Sequence, residues 1–172
     1  YFPFWHKEIR EIMVLKNNKG TDDNRVRKLD YGIQFCRLFY RRFVKNEDIT
    51  LFSPNDVQDM MDAFGVDNDR FEELYEKYEQ DASIPKRSIK ARDLFNQFCQ
   101  ERIGTGRMYV MNIDNANTHS SFTDKIYMSN LCTEIIEYTA PDEVAVCNLA
   151  SVALPKFVKE DGTFDHDRLF EV

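Results

Sequence analysis

At 172 residues, 42% of them hydrophobic and 31% charged, the chain carries enough apolar surface for one sizeable core and no tract that composition alone would leave disordered. With 30 acidic against 23 basic side chains the net charge is −7, and that field repels phosphate polymers, which argues against a DNA- or RNA-binding module. No apolar run approaches the ~18 residues of a bilayer-spanning helix and no charged-then-apolar leader opens the sequence, so neither a membrane span nor a secretory signal is expected.

Trp5, Ile9, Ile12 and Met13 stand at i, i+4, i+7 and i+8, one face of a helix predicted over residues 5–16 and stopped by Gly20. A second helix is predicted from Thr21 or Asp22 to about Asn46, acidic in its first turn and carrying Arg41, Arg42 and Lys45 in its last, as the helix dipole favours. Val26, Leu29, Ile33, Cys36, Tyr40 and Phe43 form one stripe along it, and Tyr31, Phe35, Leu38 and Phe39 another. Such a helix should lie between two layers. Residues 49–52 read as a short strand. Ser53 as N-cap and Pro54 at the first helical position then open a helix with Val57, Met60, Met61 and Phe64, ended by Gly65. Asp67 or Asn68 caps the next helix, which shows Phe71, Leu74, Tyr75 and Tyr78 on one face, and Pro85 closes that region.

Leu94, Phe95, Phe98 and Cys99 mark a helix over about residues 90–103, stopped by Gly104-Thr105-Gly106. Residues 108–111 read as a strand, residues 112–129 as a long polar loop with a task, and residues 144–149 as a strand of the fully buried type. Residues 169–172 read as the start of a helix. Helices alternating with short apolar strands point to an α/β fold, yet three or so strands cannot close a sheet. Together with an opening Tyr1 in place of Met, this predicts a piece of a longer polypeptide.

Cys36, Cys99, Cys132 and Cys147 lack any C-x-x-C spacing, which argues against a zinc ribbon and suits a reducing compartment. Cys36 and Cys99 read as small hydrophobes on helix faces. The densest polar constellation is Ser129-Asn130-Leu131-Cys132-Thr133-Glu134-Ile135. If extended, it points Asn130, Cys132 and Glu134 to one side about 6.5–7 Å apart, an amide, a thiol and a carboxylate together. The same alternation also suits a strand with a merely polar outer face. His6 and His119 read as structural hydrogen-bonders, and the Arg41, Arg42 and Lys45 cluster as a solvated helix end. Asp67-Asn68-Asp69 lacks the Gly and closing Glu of a calcium loop, and Gly104-Thr105-Gly106-Arg107 lacks the rest of a P-loop. No metal site is expected.

These residues carry a resemblance. The segment around Cys132 is similar to the finger loop of the large, catalytic (alpha) subunit of class I ribonucleotide reductase. Pro3-Phe4-Trp5-His6, Val14-Leu15-Lys16-Asn17-Asn18, Asn24-Arg25-Val26-Arg27, residues 48–54, residues 74–79, Thr105-Gly106-Arg107 and Asn117-Thr118-His119-Ser120 follow that family in the same order. Residues 142–151 look like its strand after the finger loop. The bacterial and phage class Ia branch is the nearest in pattern, and Leu131 before Cys132 favours class I over the cobalamin-dependent class, whose loop typically has Pro there.

The resemblance implies a fold and a chemistry. The chain would be the helix-rich middle of a ten-stranded α/β barrel, with residues 1–111 late in the first half-barrel, 112–140 the loop region holding the finger-loop motif, and 141–172 the start of the second half-barrel. The implied reaction reduces ribonucleoside diphosphates to 2′-deoxyribonucleoside diphosphates by a thiyl radical. Cys132 would carry the radical and take hydrogen from C3′, Glu134 would accept the 3′-hydroxyl proton, and Asn130 would bind substrate and orient that carboxylate. All three would contact substrate.

Cys147 would be half of a redox-active disulfide whose partner lies outside this chain, upstream of Tyr1. No cofactor would be bound here, since a metal-containing small subunit supplies the radical. The implied partners are the remaining segments of the large subunit, that small subunit, a thioredoxin or glutaredoxin system and a nucleoside diphosphate, with no nucleic acid polymer and no membrane. The expected location is the cytoplasm, the host's if phage-encoded. The family's effector loops and radical-relay tyrosines have no counterpart here, so none of the eight Tyr is expected to relay a radical. The alternative is a non-catalytic accessory or assembly piece of a split reductase, inactive alone. Joint retention of Asn130, Cys132, Glu134 and Cys147 opposes a degenerate remnant.

Overall fold

Every residue of Gly32–Phe35 is buried, and this short strand, in place of the middle of a long helix, organises the chain. In the computed structural model, which describes residues 1–172, the elements run β1 (Phe2–Pro3), α1 (Ile9–Met13), β2 (Gly32–Phe35), α2 (Arg37–Lys45), β3 (Asp48–Phe52), α3 (Gln58–Ala63), α4 (Asn68–Gln80), β4 (Lys86–Lys90), α5 (Ala91–Thr105), β5 (Tyr109–Asn112), α6 (Ile113–Thr118) and α7 (His166–Glu171). Short 3₁₀ turns stand at Asp22–Asn24, Pro54–Asp56 and Leu154–Phe157. β2 is the middle of a parallel sheet ordered β1-β2-β5, with Ile33 opposite Phe2 on one side and Val110 on the other. Parallel neighbours need long crossovers, and the segments carrying α1 and α2 to α5 supply them.

β3 and β4 form a separate antiparallel pair, from Asp48 opposite Lys90 to Phe52 opposite Lys86. The outer edge of β3 is closed in two ways. Phe52 N–H donates to the Trp5 carbonyl at 2.8 Å, and Lys7 N–H donates to the Phe52 carbonyl at 2.7 Å. Farther along, the Tyr75 hydroxyl accepts Thr50 N–H at 2.8 Å and donates to the Thr50 carbonyl at 2.6 Å. Arg42 from α2 lies 4.9 Å from the centre of the Tyr75 ring and grips both carboxylate oxygens of Glu79, at 2.5 and 2.7 Å. α2, β3 and α4 are thereby joined at one point.

The core between these layers is aromatic. Phe4, Trp5, Phe35, Phe39, Phe64, Phe71 and Tyr75 are all buried, with Phe35 and Phe39 at 4.3 Å between ring centres and Trp5 edge-on to Phe64 at 5.8 Å. Such pairs add to the burial of their area.

Several sequence expectations meet their physical limits here. The helix predicted over residues 5–16 shrinks to α1, because the backbone of Trp5 and Lys7 is engaged with β3. The helix predicted to Asn46 divides into a 3₁₀ turn, β2 and α2; its two apolar stripes are the two covered faces of a buried strand followed by a helix, with Val26 and Leu29 left exposed. Ser53 makes no side-chain cap and Pro54 opens a 3₁₀ turn, so α3 begins only at Gln58. β4 is polar and partly exposed, which hid it, and α6 occupies the start of the expected loop.

The run 144–149 forms no strand: Val144 is 78% and Leu149 85% exposed, because no neighbouring strand pairs with it. The parallel sheet stays open at three strands, so the fold is mixed α/β without a closed barrel. Expectations for β3, α4, α5, β5 and α7 agree with the structure, including Asp67 accepting Arg70 N–H at the start of α4 and Gly106 in a left-handed C-cap of α5.

Gly65 has φ +77°, and a Cβ there would stand 2.4 Å from Ile113 Cγ1. Gly65→Ala should therefore lower stability by about 1–3 kcal/mol. Tyr75→Phe, which leaves the Thr50 N–H and carbonyl without their partner, should cost about 1–3 kcal/mol. Urea unfolding should show lower midpoints with an unchanged slope in both.

Candidate functional site

The candidate site is built on a path that runs from β5 through α6 to residue 147. Asp114, second in α6, is buried; its Oδ2 accepts Arg37 N–H at 2.7 Å and its Oδ1 accepts Asn115 N–H at 2.9 Å. One carboxylate thus serves the N-termini of both α2 and α6, where the helix dipole favours negative charge. Asn117 then closes the following excursion. Its Nδ2 donates to the carbonyls of Ile113 and Ile126 at 3.0 and 3.1 Å, and its Oδ1 accepts Ile126 N–H at 2.8 Å. Gln34 of β2 donates to the Tyr127 carbonyl at 2.5 Å, fixing the chain just before Ser129.

Residues 129–135 form a closed turn, correcting the extended segment read from their alternation. Ser129 Oγ donates to the Ile135 carbonyl at 2.6 Å, and Ile135 N–H donates to Asn130 Oδ1 at 3.0 Å. Local bonds of Ser and Asn to nearby backbone compete with strand pairing, and no strand lies alongside to win that competition. Thr133 turns the chain at φ +69°. Tyr1 reaches the turn from ahead of β1: its hydroxyl donates to the Asn130 carbonyl at 2.9 Å and lies 2.7 Å from Thr133 Oγ1.

This geometry decides which expected residues meet. A tight bend in which Ala140 and Glu143 exchange backbone hydrogen bonds sends the chain back along itself. Asn130 and Cys147 then line one groove of about 410 Å³, together with Met128, Ile135 and Val144. Cys132 and Glu134 do not line it; they stand exposed on the turn. The Asn130 amide oxygen is committed within the turn, whereas its Nδ2 has no hydrogen-bond partner in the chain.

The Arg107 cation is favoured by the Tyr109 hydroxyl first and then by Asp30. All four thiols are free. Cys36 begins α2 as its N-cap instead of lying on a helix face, and burial pushes its thiol up to about 12. Arg42 is mostly covered and paired with Glu79, which corrects the reading of a solvated cationic helix end at that residue, while Arg41, paired with Glu72, and Lys45 stay exposed as expected. No three His, Cys, Asp or Glu side chains converge as a metal site, and no helix is long and apolar enough to cross a membrane.

Sequence reasoning named Ser129 only as the head of the polar constellation and assigned no role to Asp114 or Tyr1. Asp114 had a local signal, an Asp two residues after the end of a strand. Tyr1 had none, since its partners lie about 130 residues away.

The family model described as "Ribonucleotide reductase, barrel domain" matches residues 1–172. The chain belongs to the ribonucleotide reductase family. It is 47% identical to the ribonucleoside-diphosphate reductase subunit alpha of Haemophilus influenzae, an alignment covering 94% of this chain and 23% of that protein. It is 51% identical to the reductase 1 subunit alpha of Escherichia coli over 82% of the chain and 19% of the relative, and 44% identical to the subunit alpha of Enterobacteria phage T4 over 94% and 22%. These bacterial and phage reductases agree with the class I large-subunit resemblance read from the motifs. The chain spans less than a quarter of the length of the relatives it matches.

Within this chain the thiols separate by exposure: Cys132 and Cys147 are exposed, Cys99 is half-buried and Cys36 is buried. Iodoacetamide at pH 8 should label Cys132 and Cys147 first and Cys99 more slowly. Cys36 should react only after unfolding, because the thiolate is the nucleophile and burial suppresses it. Peptide mass mapping that found Cys36 among the fast thiols would contradict this order.

Proposed function

We propose that this chain is the part of a ribonucleoside-diphosphate reductase large subunit that carries the reacting thiol. The observation that supports this most is the match of the whole chain to the reductase barrel family, with Asn130, Cys132, Glu134 and Cys147 all retained in their motifs. In this reading residues 1–111 belong to the late first half of a ten-stranded barrel, 112–140 to the loop region, and 141–172 to the start of the second half.

The chemistry requires a hydroxyl to leave an unactivated ribose carbon, and a radical at C3′ makes that possible. Cys132, once oxidised to a thiyl by a small subunit that carries a metal, takes the C3′ hydrogen. Glu134 accepts the 3′-hydroxyl proton as general base, and the unpartnered Nδ2 of Asn130 holds the sugar. The 2′-hydroxyl leaves as water. Two electrons and the replacement hydrogen come from Cys147 and a second thiol outside this chain, which become a disulfide that a thioredoxin or glutaredoxin system then reduces. Cys132 recovers its hydrogen at the end of the cycle. The net change exchanges a C–O bond and two S–H bonds for a C–H bond, an S–S bond and water.

The exposed run Val144, Val146 and Leu149 supports docking of the remaining segments of the large subunit over this face, which would bring the turn and the groove into one enclosed site. A cytoplasmic location, the host's for a phage protein, fits thiols that must cycle. The alternative of a non-catalytic assembly piece makes the opposite forecast for the same variants.

In the complete holoenzyme Cys132→Ser should abolish turnover while nucleotide binding persists, since an O–H bond is too strong to yield the radical. Glu134→Gln should slow turnover by about 10²–10⁴, the usual worth of a positioned acid–base group. Wild-type rates in either variant would remove that residue from the mechanism.

A further inference from the structure

The turn that carries Cys132 is held in shape by its own side chains, but it is held in place by something else. The bonds from Ser129 and Asn130 to Ile135 are internal to residues 129–135. The side-chain hydrogen bonds that tie this segment to the sheet come from one group, the Tyr1 hydroxyl, on the Asn130 carbonyl at 2.9 Å and on Thr133 Oγ1 at 2.7 Å. Those contacts bracket Leu131 and Cys132.

Two independent features make the arrangement specific. Thr133 is β-branched and sits at φ +69°, a conformation that such residues leave unless the surroundings hold them. Beneath the Tyr1 ring lies Gly32 of β2, where an added Cβ would stand 2.5 Å from Tyr1 Cε1 and 2.8 Å from the Tyr109 carbonyl. A side chain at that position would displace the ring, so the glycine gives Tyr1 its seat. The chain of contact is Gly32, the Tyr1 ring, the Tyr1 hydroxyl, and the strained turn.

We propose that Tyr1 is a positioning residue for the thiol of Cys132: its hydroxyl latches the turn to the sheet and sets the direction in which the thiol is offered. This rests on the assignment of Cys132 as the reacting thiol. It predicts an effect on the chemical step that exceeds any effect on substrate binding, because the latch touches the turn and not the sugar.

The test uses the complete large subunit assayed with its small subunit. Tyr1→Phe keeps the ring in its seat and removes only the hydroxyl. The variant should lower kcat by about tenfold with KM within about twofold, the pattern of an interaction that matters in the transition state, and alkylation of Cys132, followed by peptide mass mapping, should become several-fold faster as the turn loosens. Thr133→Val should do the same, and the double variant should be no worse than either single one, since both break one linkage.

Unchanged kcat in Tyr1→Phe, with or without faster alkylation, overturns the latch as a positioning device. So do single effects that multiply in the double variant. Failure of the underlying assignment is read separately: if Cys132→Ser retains turnover, Cys132 is not the reacting thiol, while the alkylation comparison still reports whether Tyr1 holds the turn.

Discussion

A strand buried on both faces has to satisfy four backbone directions and both side-chain surfaces at once, and β2 is where this chain does so. Gly32–Phe35 pairs with β1 on one edge and β5 on the other, and Phe35 packs between Phe4, Phe39 and Phe98. The same four residues also place the reactive segment. Gly32 leaves room for the Tyr1 ring, and Gln34 fixes the Tyr127 carbonyl. A one-residue slip of β2 would reverse the facing of each side chain, so core packing and loop placement are set by the same register.

Charge plays a supporting part around that strand. Burial is the largest single influence and works against the Arg42 cation, but hydrogen bonding to Glu79 and the nearby negative charge of Glu79 and Glu47 together outweigh it, leaving its charged form favoured. Because Glu79 also accepts the Thr50 hydroxyl at 2.7 Å, removing Glu79 would strand a poorly solvated Arg42 cation and an unpaired Thr50 hydroxyl together. In the pairs of Arg37 and Arg41 with Glu72 the carboxylate is mostly covered, but both guanidinium groups are exposed and keep water as an alternative partner, so these pairs are worth less. The excess of acid over base in the composition therefore says nothing about the few buried charges that orient α2 and α4.

What was legible in the sequence was what local chemistry decides. α4 announces itself through Asp67 and a 3.6-residue apolar stripe, and α5 through its stripe and the left-handed Gly106. β2 was illegible because its four residues, Gly32-Ile33-Gln34-Phe35, are buried on both sides and show no alternation of apolar inside and polar outside, and the adjoining Leu38 and Phe39 extended them into a false helix. The run 144–149 failed in the opposite sense. Its β-prone residues fit a strand, but a strand exists only with partners, and in this chain those residues meet none. The family resemblance was legible through collinear motifs, a signal that periodicity does not contain.

The segment around Cys132 shows why a site's chemistry can be read before its geometry. Alternating Asn130, Cys132 and Glu134 name an amide, a thiol and a carboxylate whatever the backbone does, but their directions depend on φ at Thr133 and on a hydroxyl from the far end of the sequence. An extended segment would have aligned the three side chains by its pleat alone. The turn instead separates them, committing the Asn130 oxygen to Ile135 and presenting Cys132 and Glu134 outward while Cys147 shares the groove with Asn130. A thiol offered on a turn can be re-aimed by small rotations of two or three residues, whereas one on a paired strand moves only with its sheet. The latch at Tyr1 is then the natural place to control aim, because it acts on a position of the turn whose backbone is already strained.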